Sequence, residues 1–517
     1  MERKWWTLAL VSVATFMLLL DVTIVNVALP DIQRSLHASL SSLQWVVDAY
    51  SLMLASFLLT AGSLGDRLGR RRVFTIGFGI FTFASFLCGT SNDPTLLNLC
   101  RGLQGIGGAG MFATALALIG QEFQGKERAT AFGVWGATVG GAVAVGPLIG
   151  GVITQSFGWE WIFFVNVPIG VVAMFLTERK VRNVFGKEPE PLDIPGLVTF
   201  SAALFLLIFG LIRGNPEGWG SLPIVACLGA AVLLLIAFVA IETHSRHPML
   251  DLSLFRNPAF NGVSAVAFTL SASMFALFLY LTIYLQGVLD YSPLEAGVRF
   301  LPQTILAFVA SIFAGQLLNR VAIRILFGVG MALVGVGLLL MHGVTPTSTW
   351  TTLLAGFVIS GLGVGIVNPA IAQSAIAVVP PEKSGMGSGI NSTFRQVGIA
   401  TGVAALGAVF QSQINSKLAE ELPRLPKRIT SGGLGEIVAS GGSRAVEALH
   451  LPPGVEAKAL NASDVAFVGA FNSILLIGAI VALAGAVAGF ALTRTSSFVQ
   501  HDEGQGQEPA NSAPDIA

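Results

Sequence analysis

Charge is what this chain has least of. Of its 517 residues only 11% are Asp, Glu, Lys or Arg, 29 bases balance 29 acids, and the mean hydropathy is +0.74. A soluble domain carries about 25% charged residues, so the composition excludes an ordinary water-soluble fold and points to lipid. The zero net charge and the lack of a Lys/Arg block argue against a nucleic-acid partner. Cysteine is scarce too. Cys88, Cys100 and Cys227 lie inside apolar runs without metal-ligand spacing or disulfide-framework pairing, and read as small packing residues. The six histidines form no cluster, and no Walker-type Gly-Lys-Ser/Thr occurs. No metal, cofactor or catalytic chemistry is expected, so energy for any work must come from a gradient.

Long apolar runs are what is present. Fourteen can be counted, at about 7–29, 43–64, 73–91, 95–120, 130–153, 161–177, 195–213, 221–241, 261–286, 297–318, 322–342, 350–372, 388–410 and 466–492. About 20 helical residues at 1.5 Å each cross a 30 Å hydrocarbon core. The expected fold is therefore an all-α polytopic membrane protein with 14 transmembrane helices. The first run follows Arg3 and Lys4 as a signal peptide would, but it is too long and lacks a cleavage site before a turn at Pro30, so it reads as a span. With the N-terminus inside, Arg67, Arg70, Arg71, Arg72, Lys126, Arg128, Arg179 and Lys180 fall in inner loops, while the short outer loops hold only Arg34, Arg213 and Arg299. That asymmetry places both termini in the cytoplasm and requires an even number of spans.

A weak repeat organises the runs. Gly62-Ser63-Leu64-Gly65-Asp66-Arg67 after the second is echoed by Gly315-Gln316-Leu317-Leu318-Asn319-Arg320 after the tenth. Six spans, an inserted pair and six more explain the count. The units are then a six-helix bundle at 1–193, a helix pair at 194–245, a second six-helix bundle at 246–493 and a disordered tail at 494–517. A long outer loop is expected at 411–465, with a short amphipathic helix around 444–451 and no packed domain of its own.

Polar residues inside these runs mark the candidate site. A carboxylate at the depth of Asp21 is costly and normally faces a cavity, a partner charge or a proton path. Asp21 lies roughly 21 Å from the inner end of the first run, and Asp48 and Arg101 each roughly 9 Å from the outer end of theirs, so all three sit at similar depth. Pairing with Arg101 would favour the charged carboxylate and apolar burial the neutral acid, which suits a group that loads and releases a proton. Asp48 also reads as an interfacial cap after Trp45. At the inner corner Gly62, Gly65, Asp66, Arg67, Gly69 and Arg70 form a candidate gate: glycines let helix ends approach, and Asp66 is placed to pair with Arg70 and face a helix N-terminus. Gly146, Pro147, Gly150 and Gly151 give the fifth run a flexing or sealing stripe. In the thirteenth run Ser388, Asn391 and Arg395 share one face, as cavity lining or with Arg395 as an inner-leaflet anchor. Asn26, Tyr50 and Gln104 complete the candidate lining.

These motifs resemble the major facilitator superfamily over nearly the whole chain. The segment Asp21-Val22-Thr23-Ile24-Val25-Asn26-Val27-Ala28-Leu29-Pro30, with Trp45-Val46-Val47-Asp48-Ala49-Tyr50 and Trp161-Ile162-Phe163-Phe164-Val165-Asn166-Val167-Pro168, is similar to the fourteen-span drug:proton antiporter family. The resemblance implies alternating access between two bundles and export in exchange for protons. It assigns Asp21 to substrate or proton recognition, Arg101 to proton coupling, Asp66 and Arg70 to the cytoplasmic gate, and Gly146 and Pro147 to the antiporter motif. It also implies amphipathic small-molecule substrates and a periplasmic adaptor as a candidate partner in a two-membrane bacterium. Ala142, Glu160 and Asn319 depart from the family pattern, which usually has glycine, arginine and an acid there. An exporter of one lipid, siderophore or self-made antibiotic fits the same scaffold. A non-transporting receptor is the reading from another class.

Overall fold

The computed structural model describes residues 2–38, 40–183, 193–245, 247–318, 320–380, 383–421, 434–443, 446 and 453–493. A first group of helices comprises α1 (Arg3–Leu36), α2 (Leu40–Leu68), α3 (Arg70–Gly89), α4 (Pro94–Glu122) and α5 (Gly125–Phe157). Its sixth span, Trp161–Lys180, is divided at Val165 into α6 (Trp161–Phe164) and α7 (Asn166–Lys180). The hairpin of α8 (Ile194–Glu217) and α9 (Leu222–His244) follows. The second group begins with α10 (Pro258–Leu270) and α11 (Ala276–Ile283), one continuous span with π-helical turns at Ser271–Phe275 and Tyr284–Val288. It continues with α12 (Pro293–Leu317), α13 (Ile323–Met341), α14 (Leu354–Ala377), α15 (Ser384–Glu421), the short α16 (Leu434–Gly441) and α17 (Pro453–Leu492).

Among the described residues thirteen helices are long and apolar enough to cross a bilayer. Between the fourth and the divided span, α5 has 33 residues and extends roughly 50 Å. Local sequence explains where many helices start. Proline stands in the first turn of α4, α8, α9, α10 and α12, where its missing N–H costs nothing. Asp93 caps α4 by accepting from the Leu96 N–H at 2.9 Å, and Ser292 with Glu295 forms a capping box on α12. Large apolar side chains such as Leu99 and Leu233 face outward, about two-thirds exposed, which suits a lipid surround.

The two groups interlock through the repeat read in the sequence. Gly62 of α2 lies against the backbone of Gly385 and Gly389 on α15. Gly315 of α12 lies against Ala129 and Gly133 on α5 in the same way. The second helix of each group thus crosses the fifth helix of the other, with no side chain between the backbones. The hairpin stands along one of these seams. Thr60 of α2 meets Ser201 of α8 at 2.8 Å, and Asn215 of α8 donates to the Ala404 carbonyl of α15 at 3.0 Å.

The structure corrects several expectations. The first helix does not turn at Pro30 but runs to Leu36, ending where His37 adopts a left-handed φ of 48°; proline removes one helical hydrogen bond without stopping the chain. Within the loop expected at 411–465, residues 411–421, 434–441 and 453–465 are helical. Phe410, Ile414 and Leu418 recur every fourth residue and stay buried, so α15 continues to Glu421, and α17 begins at Pro453. At 38 and 40 residues, α15 and α17 are roughly 57 and 60 Å long and project well beyond hydrocarbon. Between them α16 packs Leu434 and Val438 inward, and Gly441 touches Gly287 of the second π turn. The helix expected around 444–451 falls, apart from Val446, outside the described residues, as do Asn319 and the tail at 494–517.

Candidate functional site

The core of the first group holds a closed polar cluster. Arg101 and Gln104 share a face of α4 at i, i+3, and Val46 and Tyr50 share a face of α2 at i, i+4. Arg101 Nη1 donates to Asp21 Oδ2 and, at 2.6 Å, to Gln104 Oε1, while its Nε donates to the Val46 carbonyl at 2.8 Å. Gln104 Nε2 donates to Asp21 Oδ1 at 3.0 Å and to Ser85 Oγ at 3.1 Å. Ser85 also receives Asn166 Nδ2 at 3.1 Å and donates to the Phe163 carbonyl. The guanidinium lies 4.4 Å from the centre of the Tyr50 ring. Asp21, Tyr50, Ser85, Arg101, Gln104 and Asn166 are all at most 2% exposed.

Two glycines of α4 make this density possible. Gly105 lies against the Tyr50 carbonyl on α2, and Gly107 against the Phe81 and Gly77 backbone on α3. A methyl group at either position would collide with main chain and push Arg101 away from Asp21. Both Asp21 oxygens are engaged within the cluster.

Asp48 does not join this cluster. Depth along α2 matches that of Arg101, but Asp48 is two residues from both Val46 and Tyr50, roughly 200° around the helix. It is half-buried towards α8, where the charge acting on it is Arg213, itself paired with Glu217 at 2.7 Å. Asn26 is exposed and bonds to its own helix at the Val22 carbonyl. Tyr50 and Gln104 are sealed inside the group rather than lining open space. The partners Ser85 and Asn166 were missed by sequence reasoning, although Asn166 in an apolar run was a signal that a buried amide needed partners.

At the basic end Asp66 reaches across to the other group. Its Oδ1 accepts from Gly385 N–H at 2.9 Å and its Oδ2 from Met386 N–H at 2.7 Å. These are among the first N–H groups of α15, which no helical carbonyl can satisfy. Arg70 braces the same carboxylate with two bonds of 3.0 and 3.1 Å. Arg67 crosses as well, donating to the His247 and Pro248 carbonyls at 3.0 and 3.2 Å. Gly69 makes the corner at φ 99°, which L side chains rarely adopt, and Gly65 admits Thr114. In this structure that end of the molecule is shut.

Two further stripes behave differently from each other. On α5, Gly146 and Gly150 receive Thr23 and Ile24 of α1, whereas Gly151 has nothing within 4 Å. The helix continues through Pro147. On α15, Arg395 is 9% exposed and donates to Asn368 Oδ1 of α14 at 3.0 Å, with the Phe275 ring 5.5 Å away. Asn391 and Ser388 are buried on the same face. A leaflet anchor would leave its guanidinium at the headgroups; burial at this depth removes Arg395 from that position. An open cleft of about 720 Å³ lies at the far end between α1 and α5, lined by Asp31, Arg34, Thr154, Gln155 and Trp159. It starts roughly 15 Å along α1 from Asp21 and does not touch the cluster.

Two interlocked groups of membrane helices around buried charge have the architecture of a polytopic membrane protein. The model described as Major Facilitator Superfamily matches residues 11–403, and the chain belongs to that superfamily. It is 35% identical over 434 residues to the multidrug resistance protein Stp of Mycobacterium tuberculosis, covering 84% of this chain and 81% of that protein. It is 36% identical over 447 residues to the tetracenomycin C resistance and export protein of Streptomyces glaucescens, covering 82% and 80%. Among solved structures, the proton:xylose symporter XylE aligns with a TM-score of 0.59 at 10% identity over 92% of this chain and 94% of that one, a likeness of fold alone. The chain is a multi-pass membrane protein of a transporter family, not an enzyme.

Proposed function

We propose that this chain exports amphipathic, drug-like compounds across the cell membrane in exchange for protons, with both termini cytoplasmic. The bundles at 1–193 and 246–493 would rock about the seams at Gly62 and Gly315, with the pair at 194–245 riding on one of them. The observation that carries this reading is the Asp21–Arg101–Gln104 cluster, a carboxylate and its counter-ion buried in the first bundle. Ionised, Asp21 ties α1 to α4. A proton on Asp21 removes that tie and leaves Arg101 a buried cation without counter-charge, which costs several kcal/mol (about 3–5). Rearrangement that admits water relieves the cost, so the two protonation states favour different arrangements of the helices. Thr23 and Ile24 seated on Gly146 and Gly150 let α1 move against α5 with little side-chain obstruction. Opening the cytoplasmic side breaks two bonds from Asp66 to α15, each worth about 1.5–3 kcal/mol when charge-assisted.

Expression in a susceptible host, scored against a chemically varied panel of toxic compounds with and without a protonophore, tests the reading. Resistance to several amphipaths that collapses with the protonophore is expected. Unchanged sensitivity to every compound, or resistance indifferent to the protonophore, would contradict it. The relative named for tetracenomycin C export favours a second reading, export of a single antibiotic, which the same panel would reveal as resistance to one compound class.

A further inference from the structure

Arg395 is a buried cation with which no acid among the described residues is paired. It lies eleven residues into α15 from Ser384, roughly 16 Å along the axis and near the middle of a hydrocarbon layer of about 30 Å. Its described contacts are one neutral amide, Asn368, and the face of Phe275 in the first π turn. The sequences of α10, α11, α13 and α14 contain no Asp or Glu at all. The acids of α12, α15 and α17 stand near helix ends: Glu295 caps α12, and Glu420, Glu421, Glu456 and Asp464 lie on the projecting parts. In the other group Asp21 is taken by Arg101, Asp66 by Arg70 and the start of α15, and Asp48 faces Arg213 of α8. Buried charges in folded proteins are paired or bound to ligand, because an isolated ion in apolar surroundings is far too costly.

The same face of α15 offers more donors. Asn391, one turn away and 4% exposed, has no partner for Nδ2, and Ser388, fully buried another turn on, has none for Oγ. A void of about 10 Å³ beside Asn391, between α10, α14 and α15, has room for at most one water. A π turn facing such a cluster is a common mark of a functional segment.

We propose that Arg395, Asn391 and Ser388 form a subsite that receives the anionic group of a transported amphipath, a carboxylate or sulfonate, when the bundles part. This rests on the export reading above and adds a substrate class to it. The guanidinium supplies the charge and most of the donors, Asn391 and Ser388 orient the remaining oxygens, and Phe275 packs on the apolar body. Bound anion and Arg395 neutralise one another while the substrate is held.

The test compares dansylglycine, which carries a carboxylate, with neutral dansylamide, by fluorescence titration of the purified full chain in nanodiscs. The wild type is expected to prefer dansylglycine. Arg395→Gln should raise the Kd for dansylglycine at least tenfold and that for dansylamide less than twofold, while Arg395→Lys keeps part of the preference. Asn391→Asp places a counter-ion one turn from Arg395 and should also abolish the preference while raising the melting temperature, which decides the matter if Arg395→Gln does not fold. Equal loss for both probes in Arg395→Gln, a preserved preference in Asn391→Asp, or a wild type that binds the two probes alike or not at all would overturn the proposal. Binding needs no gradient, so a wild type that prefers dansylglycine but confers no resistance would sink the export reading and leave the subsite standing.

Discussion

Among the buried arginines of the described residues, Arg101 and Arg395 lie deep inside one group of helices each, and their surroundings differ. Arg101 has an acid, an amide, a carbonyl and a tyrosine ring around it. Arg395 has one amide and one phenylalanine ring. Both are almost free of solvent, so exposure does not explain the difference. A charge compensated within the protein fixes helices to one another and responds when its partner is protonated. A charge left uncompensated is finished by something that comes and goes. On the two proposals above, the first group holds the coupling device and the second the recognition surface.

The contrast can be broken most severely by removing each arginine. Arg101→Gln strands the Asp21 carboxylate, and thermal melts should show a loss of about 3–5 kcal/mol. Arg395→Gln removes a cation with no counter-ion and should leave the melting temperature unchanged or raised. Adding Asp21→Asn to Arg101→Gln should recover most of that loss but no transport; equal destabilisation by the two single variants would erase the distinction.

A smaller effect is expected where the two groups meet. Asp66→Asn keeps the shape of the contact with Gly385 and Met386 but weakens charge-assisted bonds, by about 1.5–3 kcal/mol. Distances between spin labels at positions 72 and 383 should then show the basic end opening in a much larger fraction of molecules. A distribution identical to that of the wild type would remove Asp66 from the closure. Least disruptive is a pair of substitutions on α5. Gly146→Val drives a side chain into Thr23 and should reduce efflux with a stability cost of about 1–3 kcal/mol, whereas Gly141→Ala, with nothing within 4 Å, should leave efflux as it was. Equal tolerance at both positions would mean that α1 does not bear on α5 through that glycine.

Much of the fold was legible because apolar runs and the repeat at Gly62 and Gly315 are written locally. The pairing of Asp21 with Arg101 and of Asp66 with Arg70 was legible as well, since charge inside an apolar run announces itself. Asp48 misled because depth along a helix was counted and direction around it was not. The extension of α15 was present in the spacing of Phe410, Ile414 and Leu418 but hidden by Lys417, Glu420 and Glu421 between and after them. The π turns, the carbonyl partners of Arg67 and the missing acid beside Arg395 arise from how distant segments pack, and no short stretch of sequence encodes them.

The account rests on Asp21 carrying the coupled proton. Proteoliposomes containing wild type or Asp21→Asn, loaded with a fluorescent substrate identified by the resistance panel and given an imposed pH gradient, measure this directly. The wild type should move the compound uphill when protons flow in the opposite direction, and Asp21→Asn should bind it yet fail to accumulate it. Accumulation by Asp21→Asn at the wild-type rate, under the same gradient, would contradict the central claim.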